Sequence, residues 1–141
     1  MSAFWDTSAI LHICVPGQVS SRAKSLLRVH PPVVWWTAAV EVRSALERLR
    51  REASLSSAAY TASNRRLEEL LGSCREIQPT DPLRELAASL LERFPLRASD
   101  ALNLAAALVW TKQIPRGRMF ICNDRRLTSA ARALGFDTAE V

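Results

Sequence analysis

The sequence has few of the residues that mark membrane-spanning, disulfide-linked or disordered chains. It contains only four glycines, seven prolines and three cysteines among 141 residues, and no low-complexity tract. Its longest apolar run, 101–110, is interrupted by Asn103 and is far shorter than the roughly 20 residues that cross a bilayer. These absences, together with 48% hydrophobic residues, predict a single globular domain over 1–141 with no membrane segment.

The N-terminus and the cysteines indicate the compartment. No basic residue precedes the first apolar residues and Asp6 interrupts them, so the pattern of a secretory signal is missing and we expect a cytoplasmic protein. The cysteines, Cys14, Cys74 and Cys122, are odd in number, widely spaced and surrounded by apolar residues. They are predicted to be buried thiols instead of disulfides or zinc ligands.

Basic residues outnumber acidic ones by 19 to 14, and all but two of the basic residues are arginine. Guanidinium groups form bidentate contacts with phosphate or carboxylate, which favours a polyanion or an acidic partner. Charged helix surfaces are common in any protein, so the net charge of +5 supports this interpretation without deciding it.

Apolar periodicity predicts short strands that alternate with amphipathic helices. Strands are predicted over 2–5, 33–36, 74–78, 118–122 and 136–141, and helices over 7–14, 20–29, 37–53, 55–71, 80–94, 99–110 and 127–134. Thr7, Ser8 and Thr37 are predicted N-caps, and Gly72 is a predicted C-terminal cap. Because parallel strands need helical crossovers, the expected fold is a three-layer α/β/α sandwich with a mainly parallel, five-stranded sheet.

Four carboxylates occupy positions where parallel α/β folds place their ligand sites. Asp6 closes the first predicted strand and Asp124 follows the fourth, so the two share one rim if those strands are neighbours. Glu41 and Asp100 lie in the first turns of predicted helices. We therefore expect all four side chains to point into one cleft.

Each acid also has a purely structural interpretation. Asp6, Asp100 and Asp124 could cap helices, and Glu41 could interact with a helix dipole. Capping carboxylates normally stand in solvated turns, however, whereas four acids under cover on one rim repel each other unless a cation is bound. Oxygen ligands without histidine or cysteine favour Mg²⁺ or Mn²⁺ over zinc.

The segments around these acids resemble the motifs of the PIN-domain nucleases, and among them the VapC toxins of prokaryotic toxin–antitoxin pairs. The N-terminal aspartate motif is similar to FWDTSAI and the second motif to AAVEVRSAL, with Asp6 and Glu41 as their acids. The third motif is similar to RASDALNLAAAL and the fourth to ICNDRRLTSAARALGF, with Asp100 and Asp124. The resemblance covers the whole chain and implies a PIN-like fold.

What this resemblance implies is an endoribonuclease supported by Mg²⁺ or Mn²⁺, a VapB-like antitoxin that inhibits it, and a homodimer. Asp6 and Asp100 would hold the ion, with Glu41 and Asp124 bound to it directly or through water, for in-line attack of an activated water on the phosphate. Some relatives have a further acid after the fourth one. Arginines stand at the next two positions here, so one metal ion is expected.

Five residues close in sequence to the acids are candidates for contacts with RNA. They are Thr7, Ser8, Arg97, Arg125 and Arg126. For the arginines, an exposed helix charge is an equally weighted alternative. The two histidines are expected to have packing or surface roles.

Three functions other than that of a toxin nuclease are considered for this sequence. The intact acids argue against a PIN-like module that binds a partner without cutting RNA, whereas a housekeeping PIN nuclease without an antitoxin stays open. A phosphoacceptor receiver domain needs paired acids near the first strand and a late lysine. The sequence has Asp6 alone there, and its last lysine, Lys112, lies outside any predicted strand end.

Overall fold

The computed structural model describes residues 1–17 and 19–141. Within this part of the chain, five strands form one sheet. They are β1 (Ala3–Trp5), β2 (Pro32–Trp35), β3 (Arg75–Ile77), β4 (Met119–Cys122) and β5 (Asp137–Glu140). The strand order is β3-β2-β1-β4-β5, and every neighbouring pair is parallel.

Seven helices connect the strands of the described chain. They are α1 (Thr7–Cys14), α2 (Ser21–Val29), α3 (Ala38–Arg51), α4 (Ser57–Ser73), α5 (Asp81–Arg93), α6 (Ala98–Trp110) and α7 (Arg125–Leu134). The helices α1 to α4 pack on one face of the sheet and α5 to α7 on the other. The predicted three-layer α/β/α sandwich is therefore confirmed, with a wholly parallel sheet. No described helix is long and apolar enough to cross a membrane.

The two faces of the sheet have separate hydrophobic cores because side chains alternate along each strand. On one face, Phe4 stacks on Phe120 with ring centroids 5.4 Å apart and packs with Leu104 of α6. On the other, Trp5 packs with Leu46 of α3. Helix α6 lies between the sheet and α5, which explains why it is apolar on nearly every side.

The cysteines are all free thiols, as predicted. Cys14 and Cys122 are buried, whereas Cys74 is only half-buried where α4 ends. Burial raises the pKa of Cys122 to about 12, so this thiol stays protonated at neutral pH.

Several predicted helix ends were wrong. Helix α1 is capped by Asp6, whose side chain accepts from the Ala9 amide, so neither Thr7 nor Ser8 is its N-cap. Thr37 is the N-cap residue of α3, as predicted, although its hydroxyl makes no capping hydrogen bond. Gly72 is not the C-terminal cap of α4. The helix continues to Ser73, and Cys74 is its C-cap.

The starts of α6 and α7 also differ from the prediction. Helix α6 begins at Ala98, earlier than the predicted start at Ser99 or Asp100. Helix α7 begins at Arg125 instead of Leu127, since Asp124 caps it by accepting from the Leu127 amide at 3.0 Å.

The central pair of strands positions the predicted site. Strands β1 and β4 are neighbours, with Trp5 opposite Ile121, and the Asp6 amide donates to the Ile121 carbonyl at 3.0 Å. Asp6 and Asp124 therefore leave the sheet at the same edge. This is the arrangement that the sequence predicted for these two acids.

The packing of α6 gives a stability prediction. Replacing the fully buried Leu104 by alanine should lower the free energy of unfolding by about 2–5 kcal/mol, because it leaves a cavity between α6 and the sheet. The matched change Leu91→Ala, at a side chain that is 44% exposed, should cost less than about 1 kcal/mol. Urea unfolding of both variants measures the difference, and equal costs would contradict the described packing.

Candidate active site

The four predicted acids line a single cavity of about 390 Å³ at the carboxyl edge of the sheet. Its walls come from the end of β1, from helices α1, α3 and α6, and from the loop that follows β4. The lining residues are Asp6, Thr7, Ser8, Leu11, Glu41, Arg48, Arg97, Ser99, Asp100, Asn103 and Asp124. The cleft expected from the sequence is present and contains all four carboxylates.

Asp6 is the most buried of these acids, with only 4% of its surface exposed. Its Oδ1 atom accepts hydrogen bonds from the Ser8 hydroxyl at 2.8 Å and from the Ala9 amide at 3.2 Å. Burial raises the pKa of Asp6 to about 7, although these hydrogen bonds oppose the shift, and the charge of Asp100 raises it further. In the free protein, the carboxyl group of Asp6 is therefore costly to ionise.

Glu41 is held by donors from two other elements. The Thr7 hydroxyl at the start of α1 donates to its Oε2 atom, and Asn103 Nδ2 donates to the same atom at 3.3 Å. Asn103 is 3% exposed and also donates to the Ser99 carbonyl at 2.9 Å, which fixes the orientation of its amide. The first turn of α3 is thereby tied to both α1 and α6.

Asp100 and Asp124 both line this cavity and a second one that adjoins it. The Arg97 amide donates to Asp100 Oδ2 at 3.3 Å, while Asp124 caps α7. Partial burial raises the pKa of Asp100, the charge of Asp124 raises it further, and Arg97 and Arg126 oppose the shift. The acids thus form an interacting series from Asp6 through Asp100 to Asp124.

The capping interpretation of these acids is correct as far as it goes. Asp6 and Asp124 cap α1 and α7, and Asp100 accepts from the backbone amide of Arg97, the N-cap residue of α6. The positive ends of these helix dipoles converge on the cavity and offset part of the negative charge. Capping alone does not require the three helix ends to meet, nor does it require Asp6 to be buried. The shared cavity is the feature that needs another explanation.

The donor set fits a hard divalent cation. Every polar side chain that lines the cavity, other than its two arginines, offers oxygen, and none of the described lining residues carries a thiol or an imidazole. Within the described ranges, no group of three histidine, cysteine or acidic side chains is close enough to enclose an ion by itself. Mg²⁺ keeps several waters and is commonly held by one or two carboxylates, so a pair of acids suffices.

The predicted substrate contacts are distributed unevenly. Thr7, Ser8 and Arg97 line the cavity, and Arg126 lines an adjoining one with Arg97, Ser99, Asp100 and Asp124. Arg125 lines neither. The two hydroxyls are engaged within the protein, since Thr7 binds Glu41 and Ser8 bridges Asp6 and the Asn123 amide.

The sequence-based prediction missed four lining residues, which are Leu11, Arg48, Ser99 and Asn103. Asn103 is the one polar residue in the apolar run of α6. It follows Asp100 by three positions, so the two side chains are neighbours on the surface of the helix. Arg48 follows Glu41 by seven positions and so lies on the same side of α3. Both spacings are visible in the sequence, but nothing in it separates them from ordinary packing or surface positions.

Comparison with known proteins gives structural relatives only, because no family model and no curated protein matches the sequence. PAE2754 from Pyrobaculum aerophilum is 17% identical with a TM-score of 0.59, over 98% of this chain and 89% of that one. FitAB bound to an IR36 DNA fragment is 14% identical with a TM-score of 0.64, over 98% and 94%. FitAcB from Neisseria gonorrhoeae is 17% identical with a TM-score of 0.63, over 96% of each chain. At these identities the likeness shows the fold.

The buried acid gives a prediction about stability and pH. Asp6 has a pKa of 3.8 when unfolded and about 7 when folded, so its ionisation opposes folding increasingly as the pH rises through this interval. In EDTA at pH 8, Asp6→Asn should therefore raise the free energy of unfolding, by at most about 4 kcal/mol. Asparagine keeps the cap of α1.

The gain should shrink as the pH is lowered towards 4, where the unfolded carboxyl group also becomes protonated. Asp137→Asn, which neutralises an exposed acid on β5, is the control and should change little at either pH. Urea unfolding at pH 8 and pH 4 measures both variants. A stability gain for Asp6→Asn that is equal at the two pH values would contradict the raised pKa.

Proposed function

We propose that this chain is an endoribonuclease that depends on Mg²⁺ or Mn²⁺ and acts as the toxin of a VapBC-type pair. The observation that supports it is the gathering of four acids in one cavity, with Asp6 buried among them. A bound cation would remove their mutual repulsion and the cost of ionising Asp6. The fold shared with FitAB and FitAcB is compatible with this assignment.

The chain's own residues have distinct roles in this proposal. Asp6 and Asp100 hold the cation, and Asp124 binds it directly or through water. Glu41 Oε2 is occupied by Thr7 and Asn103, so its Oε1 is the atom placed to orient the attacking water. The ion, when bound, supplies Lewis-acid stabilisation of the scissile phosphate and lowers the pKa of water.

The arginines at the cavity would bind the RNA backbone. Arg97 and Arg126 lie close enough to Asp100 to lower its pKa, so their charge reaches the place where the scissile phosphate would lie. Backbone contacts of this kind position a nucleic acid without reading its sequence. The bases that this protein prefers would then depend on other surfaces.

We also propose a VapB-like antitoxin and a homodimer as the partners of this chain. A cavity lined by four acids is complementary to a basic side chain, which a protein inhibitor can insert in place of the cation. The site lies in the open cleft between the two helical layers, so an inhibitor can reach it. In the absence of that inhibitor the cleft would be free for RNA.

Cleavage of RNA tests the nuclease proposal. Purified protein incubated with total RNA should cut it in Mg²⁺ or Mn²⁺ and not in EDTA. Asp6→Asn and Asp100→Asn should each reduce the rate by at least about 100-fold, because each removes a ligand charge at nearly constant shape. Sequencing of the new ends should find 5′-phosphates.

The exposed-acid variant Asp137→Asn is the matched control and should cut at the wild-type rate. A DNA oligonucleotide is the second control, since FitAB is described as bound to a DNA fragment. Wild-type rates in the Asp6 or Asp100 variant, or equal cutting in EDTA, would exclude these acids as the metal site. If the protein cuts DNA in preference to RNA, its substrate is DNA and the ribonuclease proposal is wrong.

The toxin assignment has a separate test in cells. Expression of the wild-type chain should arrest growth, expression of the Asp100→Asn variant should not, and co-expression of the neighbouring reading frame should restore growth. Colony counts measure all three. Harmless expression of an enzyme that is active after purification would instead indicate a housekeeping nuclease.

A further inference from the structure

The cavity that holds the acids extends away from them along the groove between α1 and α3. Leu11 follows Thr7 by one turn of α1, and Arg48 follows Glu41 by two turns of α3. With a rise of 1.5 Å per residue, the backbone at Arg48 is about 10 Å from that at Glu41. A bound chain would therefore continue past the acids into this groove.

Arg48 and Arg51 differ from the other two arginines of α3, and of these two only Arg48 lines the cavity. The Arg43 guanidinium is 3.7 Å from Glu68, and that of Arg50 is 2.7 Å from Glu47, so both bind to other parts of the protein. Across the ranges that the structure describes, Arg48 forms no ion pair and no side-chain hydrogen bond, although it lines a cavity with four acids. Its guanidinium is available to a ligand.

The positions of the cationic groups place Arg48 opposite the arginines already considered. Arg48 belongs to the helical layer of α1 to α4, whereas Arg97 and Arg126 belong to the layer of α5 to α7. The acids lie between the two layers at the edge of the sheet. A polyanion that crosses the acids would thus meet positive charge on both sides, which offsets its repulsion by the carboxylates.

We propose that Arg48 binds a backbone phosphate of single-stranded RNA on the α1–α3 side of the cleft, so that the strand runs across the acids from one helical layer to the other. The inference rests on the proposed nuclease function and adds a binding residue to it. A guanidinium is suited to the task because it binds phosphate through two parallel hydrogen bonds.

Binding to a labelled RNA oligonucleotide tests this role. In an Asp100→Asn background, in which cutting is expected to be at least about 100-fold slower, Arg48→Gln should weaken RNA binding by about 5- to 10-fold in fluorescence anisotropy at low salt. Because one phosphate contact is lost, the slope of log Kd against log salt concentration should fall by about 0.7. Arg51→Gln removes an exposed arginine of α3 that does not line the cavity, and it should change neither quantity appreciably.

Steady-state cleavage separates binding from chemistry. With Asp100 intact, Arg48→Gln should raise KM by a similar factor while Arg51→Gln does not, and Arg48→Lys should restore part of the loss. Identical behaviour of the Arg48 and Arg51 variants, in an enzyme that cuts RNA, would overturn the role of Arg48 and leave the nuclease proposal standing. A wild-type protein that neither binds nor cuts RNA would overturn both.

Discussion

The burial of Asp6 at the end of β1 is the constraint around which the site is organised. A carboxyl group that is 4% exposed is costly to ionise, and its pKa of about 7 expresses that cost. The nearby charge of Asp100 adds to it. Such an arrangement is unfavourable when the carboxyl group is ionised in an empty cavity, and under our proposal a bound cation would offset that cost.

The same residues support the fold and form the site. Asp6 and Asp124 cap helices. Glu41 of α3 accepts hydrogen bonds from Thr7 of α1 and Asn103 of α6, so it links three helices. Because the sheet is wholly parallel, the helix N-termini that follow its strands open at one edge, where their dipoles favour anions. Carboxylates and phosphate are attracted by the same local field. In the proposed function, a cation between them would complete the balance of charge.

The sequence was sufficient where local patterns determine the structure. Strand-end positions placed Asp6 and Asp124 on one rim, and the apolar run after Asp100 predicted the central helix α6. It was insufficient where groups compete for one partner. The hydroxyls of Thr7 and Ser8 suggested N-caps, yet they bind Glu41 and Asp6 instead. Arg48 and Asn103 line the cavity only because helices that are distant in sequence pack together, and no local spacing in the sequence predicts that packing.

The central claim is that the four acids form a cation site, and X-ray diffraction from crystals soaked in Mn²⁺ tests it most directly. Data collected near the manganese absorption edge locate the ion without reference to activity. The expected result is one anomalous peak inside the cavity, in contact with Asp6 and Asp100, which is absent from crystals of the Asp6→Asn variant. No peak in the cavity at saturating Mn²⁺, or a peak unaffected by that substitution, would contradict the claim.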